Sequence, residues 1–204
     1  MKENCTLGTT GYATVIPKFI DATLAIDFTE LHQDFLPYIP SNASRILDIG
    51  AGIGRDAFVL AQMGHSVVAV EPTHELRLVG EKLFDSKNIK WVDDSLPALS
   101  LLDDQLGLFD FILASGVWHH LNEEEQSRSM QRVAQLLIHN GIFALTLRHG
   151  PSGAGTHVFP INPKRTIQHA SQLGLKPVLI LENQPSLMKN KENVFWTKLV
   201  FQKQ

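Results

Sequence analysis

The sequence predicts an α/β protein built on a doubly wound, mostly parallel sheet of seven strands, with one antiparallel strand and helices on both faces. Three observations lead to this prediction. Short apolar runs alternate with amphipathic stretches after Pro40, as in a chain of βαβ units. A glycine-rich turn follows the first of these runs. The last two runs have no helical pattern between them, so the last pair of strands can form an antiparallel hairpin.

The strands are predicted from these apolar runs and from the turn residues that bound them. In chain order the runs are Arg45–Ile49, Val67–Val70, Ile89–Val92, Phe109–Ser115, Ile142–Leu147, Pro177–Leu181 and Val194–Phe201. The helices are predicted between residues that favour helix ends. They are Arg55–Met63 closed by Gly64, Thr73–Phe84 capped by Thr73, Asn122 to Asn140-Gly141, and Asn162-Pro163 to Gly174.

The helix after the fourth strand has the clearest start. The Asn122 side chain can accept from free backbone amides, and Glu125 can complete a capping box. Three consecutive acids also suit the positive end of the helix dipole. One buried face follows at helical spacing, formed by Met130, Val133, Ala134 and Leu137.

Residues 1–40 are predicted to be a helical N-terminal segment, which ends at Pro37 and Pro40 and can cover the sheet core as a lid. Residues 41–204 are the sheet core, and 1–204 form a single domain, since the length suits one domain and is too short for two. The sequence does not show the oligomeric state.

The bulk composition limits the possible partners. The formal net charge is −3, and no run of Lys or Arg exceeds two residues, so we expect no nucleic-acid partner. No apolar stretch is long enough for a membrane span, and we expect no membrane partner. Cys5 is the single cysteine, which favours a reducing compartment; together with the lack of a signal-peptide core this predicts a cytoplasmic protein.

The glycine turn indicates the kind of ligand. The segment Asp48-Ile49-Gly50-Ala51-Gly52-Ile53-Gly54-Arg55 has a G-x-G-x-G pattern, whereas dinucleotide sites have G-x-G-x-x-G. Asp48, at the strand tip and facing the ligand crevice, would repel a pyrophosphate and favour a ligand with an ammonium group. S-adenosylmethionine (SAM) is such a ligand. Glu71 ends the second strand and can accept from both ribose hydroxyls, in NAD and SAM sites alike.

The run ILDIGAGIGRDAFVLAQMGHSVVAVEP resembles the first two motifs of class I SAM-dependent methyltransferases, including the small bacterial group called methyltransferase type 11. WVDDSLPAL resembles their next acidic loop, FDFILASGVWHHL the segment after their fourth strand, and HNGIFALTLRHGP their fifth-strand region. The resemblance covers roughly Tyr12 to Phe201. It implies a Rossmann-like methyltransferase fold with SAM as cofactor and S-adenosylhomocysteine as product.

The resemblance also implies cofactor contacts. Asp48 and the backbone at the glycine turn would hold the methionine part, Glu71 the ribose, and Asp94 the adenine amino group, with Asp93 as the competitor for that last role. Tyr12 would cover the SAM carboxylate. The full implied set is Tyr12, Asp48, Gly50, Ala51, Gly52, Glu71, Pro72, Asp94, Ser95, Leu96, Ser115 and Gly116.

The sequence identifies the residues around the methyl acceptor less specifically than the cofactor contacts. His119, His120, Arg148 and His149 are candidates because they follow the fourth strand or end the fifth, where ligand-facing residues collect. Trp118 is either core or an aromatic wall. The histidine pair lacks the spacing of a metal site, so no metal is predicted.

The predicted function is methyl transfer to a small molecule by in-line displacement, in which alignment supplies much of the rate and a general base is needed only if the acceptor must lose a proton. Two alternatives remain at this point. One is a non-catalytic SAM-binding sensor or partner-activating subunit. The other is an NAD-dependent oxidoreductase on a similar sheet.

Overall fold

A computed structural model of the chain describes residues 15–151, 158–188 and 191–204. The helices, with the bounds they have in the structure, are α1 (Ile16–Leu24), α2 (Phe28–Leu31), α3 (Arg55–Gln62), α4 (His74–Leu83), α5 (Glu123–Leu136) and α6 (Pro163–Gln172). The strands are β1 (Arg45–Ile49), β2 (Ser66–Val70), β3 (Ile89–Val92), β4 (Phe109–Ala114), β5 (Leu137–His149), β6 (Leu175–Pro185) and β7 (Phe195–Lys203).

The seven strands form one sheet in the order β3-β2-β1-β4-β5-β7-β6. The pairs from β3 to β5 are parallel, and β7 lies antiparallel between β5 and β6. The predicted sheet, with its one antiparallel strand, is therefore confirmed. The strand order reverses between β1 and β4, and in doubly wound sheets ligands bind beyond the carboxyl ends of the strands at this point.

Two hydrophobic cores cover the two faces of the sheet. On one face, β1 contributes Leu47 and Ile49, which belong to the same cluster as Met130 of α5 and Ala170 of α6. On the other face, Ile46 of β1 belongs to a cluster that includes residues of α2 and α3. Alternate residues of the buried first strand thus serve opposite cores, as the period of two in a strand requires.

The predicted end of α5 was wrong by one helical turn. The helix ends at Leu136, and Leu137 already has extended backbone and begins β5 opposite Phe109. The Lys203 ammonium donates to the carbonyls of Ala134 and Leu137 at 2.6 and 2.7 Å, which satisfies acceptors that a continuing helix would have used. Asn140 (φ 63°) and its neighbouring glycine lie at an irregularity of the strand rather than at the helix end.

The described part of the N-terminal segment contains α1, α2 and a 3-10 turn over Leu36–Tyr38, in agreement with the helical prediction for that part. Asp27 caps α2 by accepting from the amides of Thr29 and Glu30. Residues 1–14, including Tyr12 and Cys5, lie outside the described residues. In the part of the chain that the structure describes, no helix has the length and apolar character needed to cross a membrane.

Candidate functional site

A cavity of about 840 Å³ lies at the carboxyl ends of the parallel strands. This volume falls within the range of about 300–1,000 Å³ that is usual for ligand sites. Most of the residues predicted from the sequence lie in its wall. They are Gly50, Ala51, Gly52, Glu71, Pro72, Asp94, Ser95, Leu96, Ser115, Gly116, His119, His120 and Arg148. The side chains of Asp48 and His149 are not part of this wall, and Tyr12 lies outside the described residues.

The glycine turn is shaped by close contacts. Gly50 has φ +70°, and a Cβ atom there would lie 2.4 Å from a methyl carbon of Val117. Gly52 has φ +58°, and a Cβ atom would lie 3.2 Å from the ring of Phe19 in α1. At Gly54 a Cβ atom would lie 2.6 Å from the Trp91 ring, so the third glycine serves packing. Because Gly50 and Gly52 have no side chains, the turn can pack closely against Val117 and Phe19 while its backbone lines the cavity.

The Asp48 carboxylate points away from the cavity. It lies on the same face of β1 as Ile46, the face that α3 covers, and it accepts a hydrogen bond from the Ala57 amide. Its Oδ2 atom is buried and has no partner among the described residues. Burial, followed by the nearby charge of Asp56, raises the pKa of Asp48 well above its usual value. The expected position facing the crevice is therefore not observed, because alternation along β1 turns this side chain toward α3.

Glu71 holds the glycine turn from the next strand. Its Oε2 accepts from the Gly52 amide at 2.9 Å and its Oε1 from the Thr73 amide at 2.8 Å. Burial raises the pKa of Glu71, and these two amides offset part of that effect. Each carboxylate oxygen has a further lone pair, so the side chain can still accept from a ligand in the cavity.

The structure separates the two aspartates that competed for the adenine role. Asp93 pairs with the Arg77 guanidinium at 2.6 Å, and its side chain is 62% exposed. Asp94 is buried and lines the cavity, where it accepts from the amides of Ser95 and Leu101 at 2.8 and 2.7 Å. Asp94 and not Asp93 is thus in a position to reach a bound molecule.

The histidine pair lies in a 3-10 turn, Trp118–His120, that follows β4. The rings of His119 and His120 are 4.1 Å apart, and His119 meets the edge of Trp196 at 6.2 Å. Burial, then the neighbouring His120 and Arg148, lower the pKa of His119 well below its usual value of 6.5. Trp118 belongs to the core, with its ring 6.0 Å from that of Phe143.

Arg148 and His149 point to opposite sides of β5. Arg148 lines the cavity beside Trp196, its cross-strand partner on β7. His149 lies 2.9 Å from the Thr197 hydroxyl and lines a separate small pocket. Of the four candidates near the acceptor, three therefore share the cavity and His149 does not. In the described part of the chain, no three His, Cys, Asp or Glu side chains are arranged to hold a metal ion.

Sequence reasoning missed the polar contacts that attach the N-terminal helices to the site. Arg55 donates to the carbonyls of Thr23 and Ile26 at 2.9 and 3.2 Å and pairs with Asp56. His32, which directly follows α2, lies 2.8 Å from the other oxygen of Asp56. Burial would raise the pKa of Asp56, but His32 and Arg55 outweigh it and lower that pKa to about 2.

Two residues of β7 were also missed. Trp196 lines the cavity, and Lys198 donates to Leu31 and pairs with Asp34 at 2.7 Å. The strand itself was predicted, but nothing in its sequence indicates that it lies next to β5 and faces the N-terminal segment. Only the sheet order brings these side chains to the site.

Comparisons with known proteins concern the segment of the chain that carries the glycine turn. Residues 47–145 match the family model described as a methyltransferase domain. An uncharacterized methyltransferase of Staphylococcus carnosus (strain TM300) is 28% identical over 137 residues, which cover 59% of this chain and 58% of that protein. The chain spans about half the length of the curated relatives that it matches.

Solved structures share the fold. A TehB-like SAM-dependent methyltransferase from Corynebacterium glutamicum superposes with a TM-score of 0.68 at 20% identity, covering 95% of this chain and 98% of that one. The 1,6-didemethyltoxoflavin-N1-methyltransferase of Burkholderia thailandensis, solved with 1,6-didemethyltoxoflavin and S-adenosylhomocysteine, also gives 0.68, at 18% identity over 94% and 88% of the two chains. The chain therefore resembles the class I SAM-dependent methyltransferases, whose cofactor is SAM, in sequence over residues 47–145 and in fold over most of its length.

Proposed function

We propose that this chain transfers a methyl group from SAM to a small-molecule acceptor. The observation that carries the proposal is the composition of the cavity wall. The glycine turn and the buried Glu71 and Asp94 follow β1, β2 and β3, whereas His119 follows β4 and Arg148 lies on β5. One cavity can thus hold a cationic nucleoside cofactor beside a second molecule.

The wall fits SAM in several respects. The backbone of Gly50, Ala51 and Gly52 is open to the cavity, and we propose that it holds the methionine part. The buried acids around this turn favour a cationic ligand, and a bound cation would in turn favour the ionised form of Asp48, whose pKa is raised by burial. Asp48 would then stabilise the positive charge of SAM electrostatically, from beneath the glycine turn, without touching the cofactor.

The other proposed contacts follow the strand ends. Glu71 would accept from the ribose hydroxyls and Pro72 would lie against the adenine. Asp94 would accept from the adenine amino group, beside the amides of Ser95 and Leu96. Ser115 and Gly116 would lie alongside the methionine part and its sulfonium. The Gly116 amide donates to the Thr146 hydroxyl at 2.8 Å, and this hydrogen bond fixes the turn.

When bound, SAM supplies an activated methyl group on a positively charged sulfur. The residues of this chain have to align the acceptor and exclude water, which is where much of the rate of such a displacement originates. Phe19 of α1 and Trp196 of β7 line the cavity and can shield it. We therefore propose that residues 1–40, with Tyr12, cover the sheet core of residues 41–204 and that the two parts form one domain.

The single cysteine supports the predicted cytoplasmic location.

Calorimetry with SAM and with NADH tests the cofactor. We expect SAM to bind and NADH not to bind. Glu71→Ala should cost about 1–3 kcal/mol of SAM affinity through lost charge-assisted hydrogen bonds, whereas Glu75→Ala on the surface of α4 serves as the control. Tight NADH binding without SAM binding would contradict the proposal.

Release of S-adenosylhomocysteine from a panel of acceptors tests turnover. Because every proposed cofactor contact concerns binding, a chain that binds SAM but releases no product with any acceptor would favour the non-catalytic sensor. Turnover of a small molecule that depends on Glu71 supports the enzyme.

A further inference from the structure

Arg55 is the first residue of α3 and follows the glycine turn directly. In the G-x-G-x-x-G pattern of dinucleotide sites this position is the third glycine, whereas here it is a long cationic side chain. The side chain is 14% exposed and lines the cavity. Its guanidinium has two kinds of partner, the carboxylate of Asp56 and two backbone carbonyls of the N-terminal segment.

The two carbonyls lie at the end of α1. One Nη atom of Arg55 donates to the carbonyl of Thr23, in the last turn of α1, at 2.9 Å and to that of Ile26, just beyond the helix, at 3.2 Å. The last carbonyls of a helix have no partner within the helix, and a cation beside them suits the negative end of the helix dipole. Helix α1 has no basic residue in its last turn. Arg55 therefore supplies this cation from α3.

The position of α1 depends on its contacts with the segment around the glycine turn. None of the residues of α1 is buried. Phe19 packs against Gly52, where a Cβ atom would lie 3.2 Å from its ring, and Arg55 bonds the end of the helix. Phe19, Ala22 and Thr23 also line the cavity, so the placement of α1 determines how far the cavity is covered.

Asp56 extends the connection to the end of α2. Its Oδ1 accepts from Nε of Arg55 at 2.7 Å, and its Oδ2 lies 2.8 Å from Nε2 of His32. The His32 side chain is buried and its ring stacks on that of Phe35. One carboxylate thus holds the guanidinium beside the end of α1 and joins the residue after α2 to the start of α3.

Resting on the cofactor site proposed above, we propose that Arg55 is a positioning residue that couples cofactor binding at the glycine turn to the placement of α1 over the cavity. A molecule that holds the backbone of Gly50, Ala51 and Gly52 also fixes the start of α3, and with it the guanidinium that bonds α1. A placed α1 in turn keeps Phe19 against the turn and slows the escape of the molecule. Because coupling of this kind is reciprocal, each event favours the other to the same extent.

Hydrogen exchange of the backbone amides of residues 16–26, followed by mass spectrometry with and without saturating S-adenosylhomocysteine, tests the coupling. In the wild type we expect the ligand to slow this exchange by about tenfold, because a helix without buried residues opens at low free energy when nothing holds it. In Arg55→Met the ligand should slow the exchange by less than about twofold. S-adenosylhomocysteine should also dissociate about tenfold faster from this variant in stopped-flow displacement.

Two further variants separate the contact from a general loss of stability. Arg55→Lys should show an intermediate loss, since an ammonium can still donate to one carbonyl, and it keeps the test available if Arg55→Met does not fold. Arg132→Met is the matched control. Arg132 is also largely buried, pairs with Asp103 and donates to the Leu99 carbonyl, but it lies on α5 outside the cavity wall. We expect exchange and dissociation in Arg132→Met to match the wild type.

A double-mutant cycle completes the test. Phe19→Ala and Arg55→Met release the same helix, so their combined effect on the dissociation rate should be smaller than the product of the single effects. The proposal is overturned if S-adenosylhomocysteine binds the wild type without slowing exchange in α1, if Arg55→Met keeps the full protection, if Arg132→Met loses as much of it, or if the two substitutions act independently. Failure of the wild type to bind S-adenosylhomocysteine at all would instead contradict the proposed function.

Discussion

Three buried carboxylates around the glycine turn have different surroundings. Asp56 is compensated by His32 and Arg55, and Glu71 by two backbone amides. Among the described residues, Asp48 has the Ala57 amide but no cation bonded to its carboxylate; Asp56 and Glu71 disfavour its charge, which the nearby Arg55 offsets only in part. A charge in this position lowers the stability of the free protein, and a bound cation would relieve that cost.

Replacing Asp48 by asparagine should therefore have opposite effects on stability and binding. Because the folded-state pKa of Asp48 lies above its usual value, ionisation at neutral pH costs folding free energy, and this cost grows as pH rises from the usual value through the folded one. We expect Asp48→Asn to raise the free energy of unfolding in urea at pH 7. SAM affinity in calorimetry should fall about tenfold, or ~1.4 kcal/mol.

Asp93→Asn, an exposed acid outside the cavity wall, is the control for Asp48→Asn. Unchanged SAM affinity in Asp48→Asn would mean that the charge beneath the turn has no part in cofactor binding.

Gly50 is the residue in the turn with the least room. An added Cβ atom would lie 2.4 Å from Val117, and the backbone has a positive φ. Gly50→Ala should cost about 1–3 kcal/mol of stability through strain and overpacking and should also weaken SAM binding. Gly64→Ala is a matched control, since φ is +96° there but nothing lies within 4 Å of the new atom. Equal losses in the two variants would show that backbone strain alone, and not the contact with Val117, limits the turn.

At the scale of elements, α1 is held over the site by polar contacts rather than by the core, whereas α2 also packs Phe28 into the core. Helix α1 has no buried residue, although Phe19 reaches the turn at Gly52. Arg55 donates to the Thr23 carbonyl near the end of α1, and Lys198 of β7 donates to the Leu31 carbonyl of α2. Elements with few buried apolar contacts open at lower free energy than the core does.

Phe19→Ala should therefore speed the dissociation of SAM by about tenfold, as measured by stopped-flow displacement, because most differences in affinity appear in the dissociation rate. The free energy of unfolding should change by less than about 1 kcal/mol, since the side chain is not part of the buried core. Leu24→Ala, at a position of α1 that is 50% exposed and outside the cavity wall, is the control. An unchanged dissociation rate would mean that α1 does not close the cavity.

For the whole molecule, three histidines with lowered pKa values predict that the free energy of unfolding decreases as the pH falls below 6.5. Burial is the first cause that lowers the pKa of His119, and it also lowers the pKa values of His65 and His149. Below the usual value of 6.5 the unfolded chain therefore binds protons that the folded chain does not. Stability contributed in this way is present above 6.5 and is lost as pH falls from there toward the folded pKa.

His119→Gln should reduce this dependence. Urea unfolding in a pH series from about 7.5 to about 5 should show a smaller loss of unfolding free energy in the variant than in the wild type. The exposed His139, changed to Gln, is the control. A steeper loss in His119→Gln than in the wild type would contradict a neutral, buried His119.

The sequence alone predicted the elements and the parts of the site that directly follow single strands. The glycine turn and Glu71 were located because each follows a strand directly, and the carboxyl ends of parallel strands meet at one edge of the sheet, whereas Asp94 was implied by the resemblance of its loop. The capping box of Asn122 and Glu125 was predicted for the same reason, since both partners belong to one helical turn.

Tertiary structure decided the direction of single side chains and the contacts between distant segments. Asp48 turns toward α3, and Arg148 and His149 diverge, because a shift of one residue along a strand changes the face of the sheet. Trp196 reaches the site because β7 inserts beside β5, and Lys198 bonds Asp34 across 164 residues of chain. Local patterns determine helices, strands and turns, whereas the neighbours of a side chain in a packed sheet depend on strand order, which no short segment encodes.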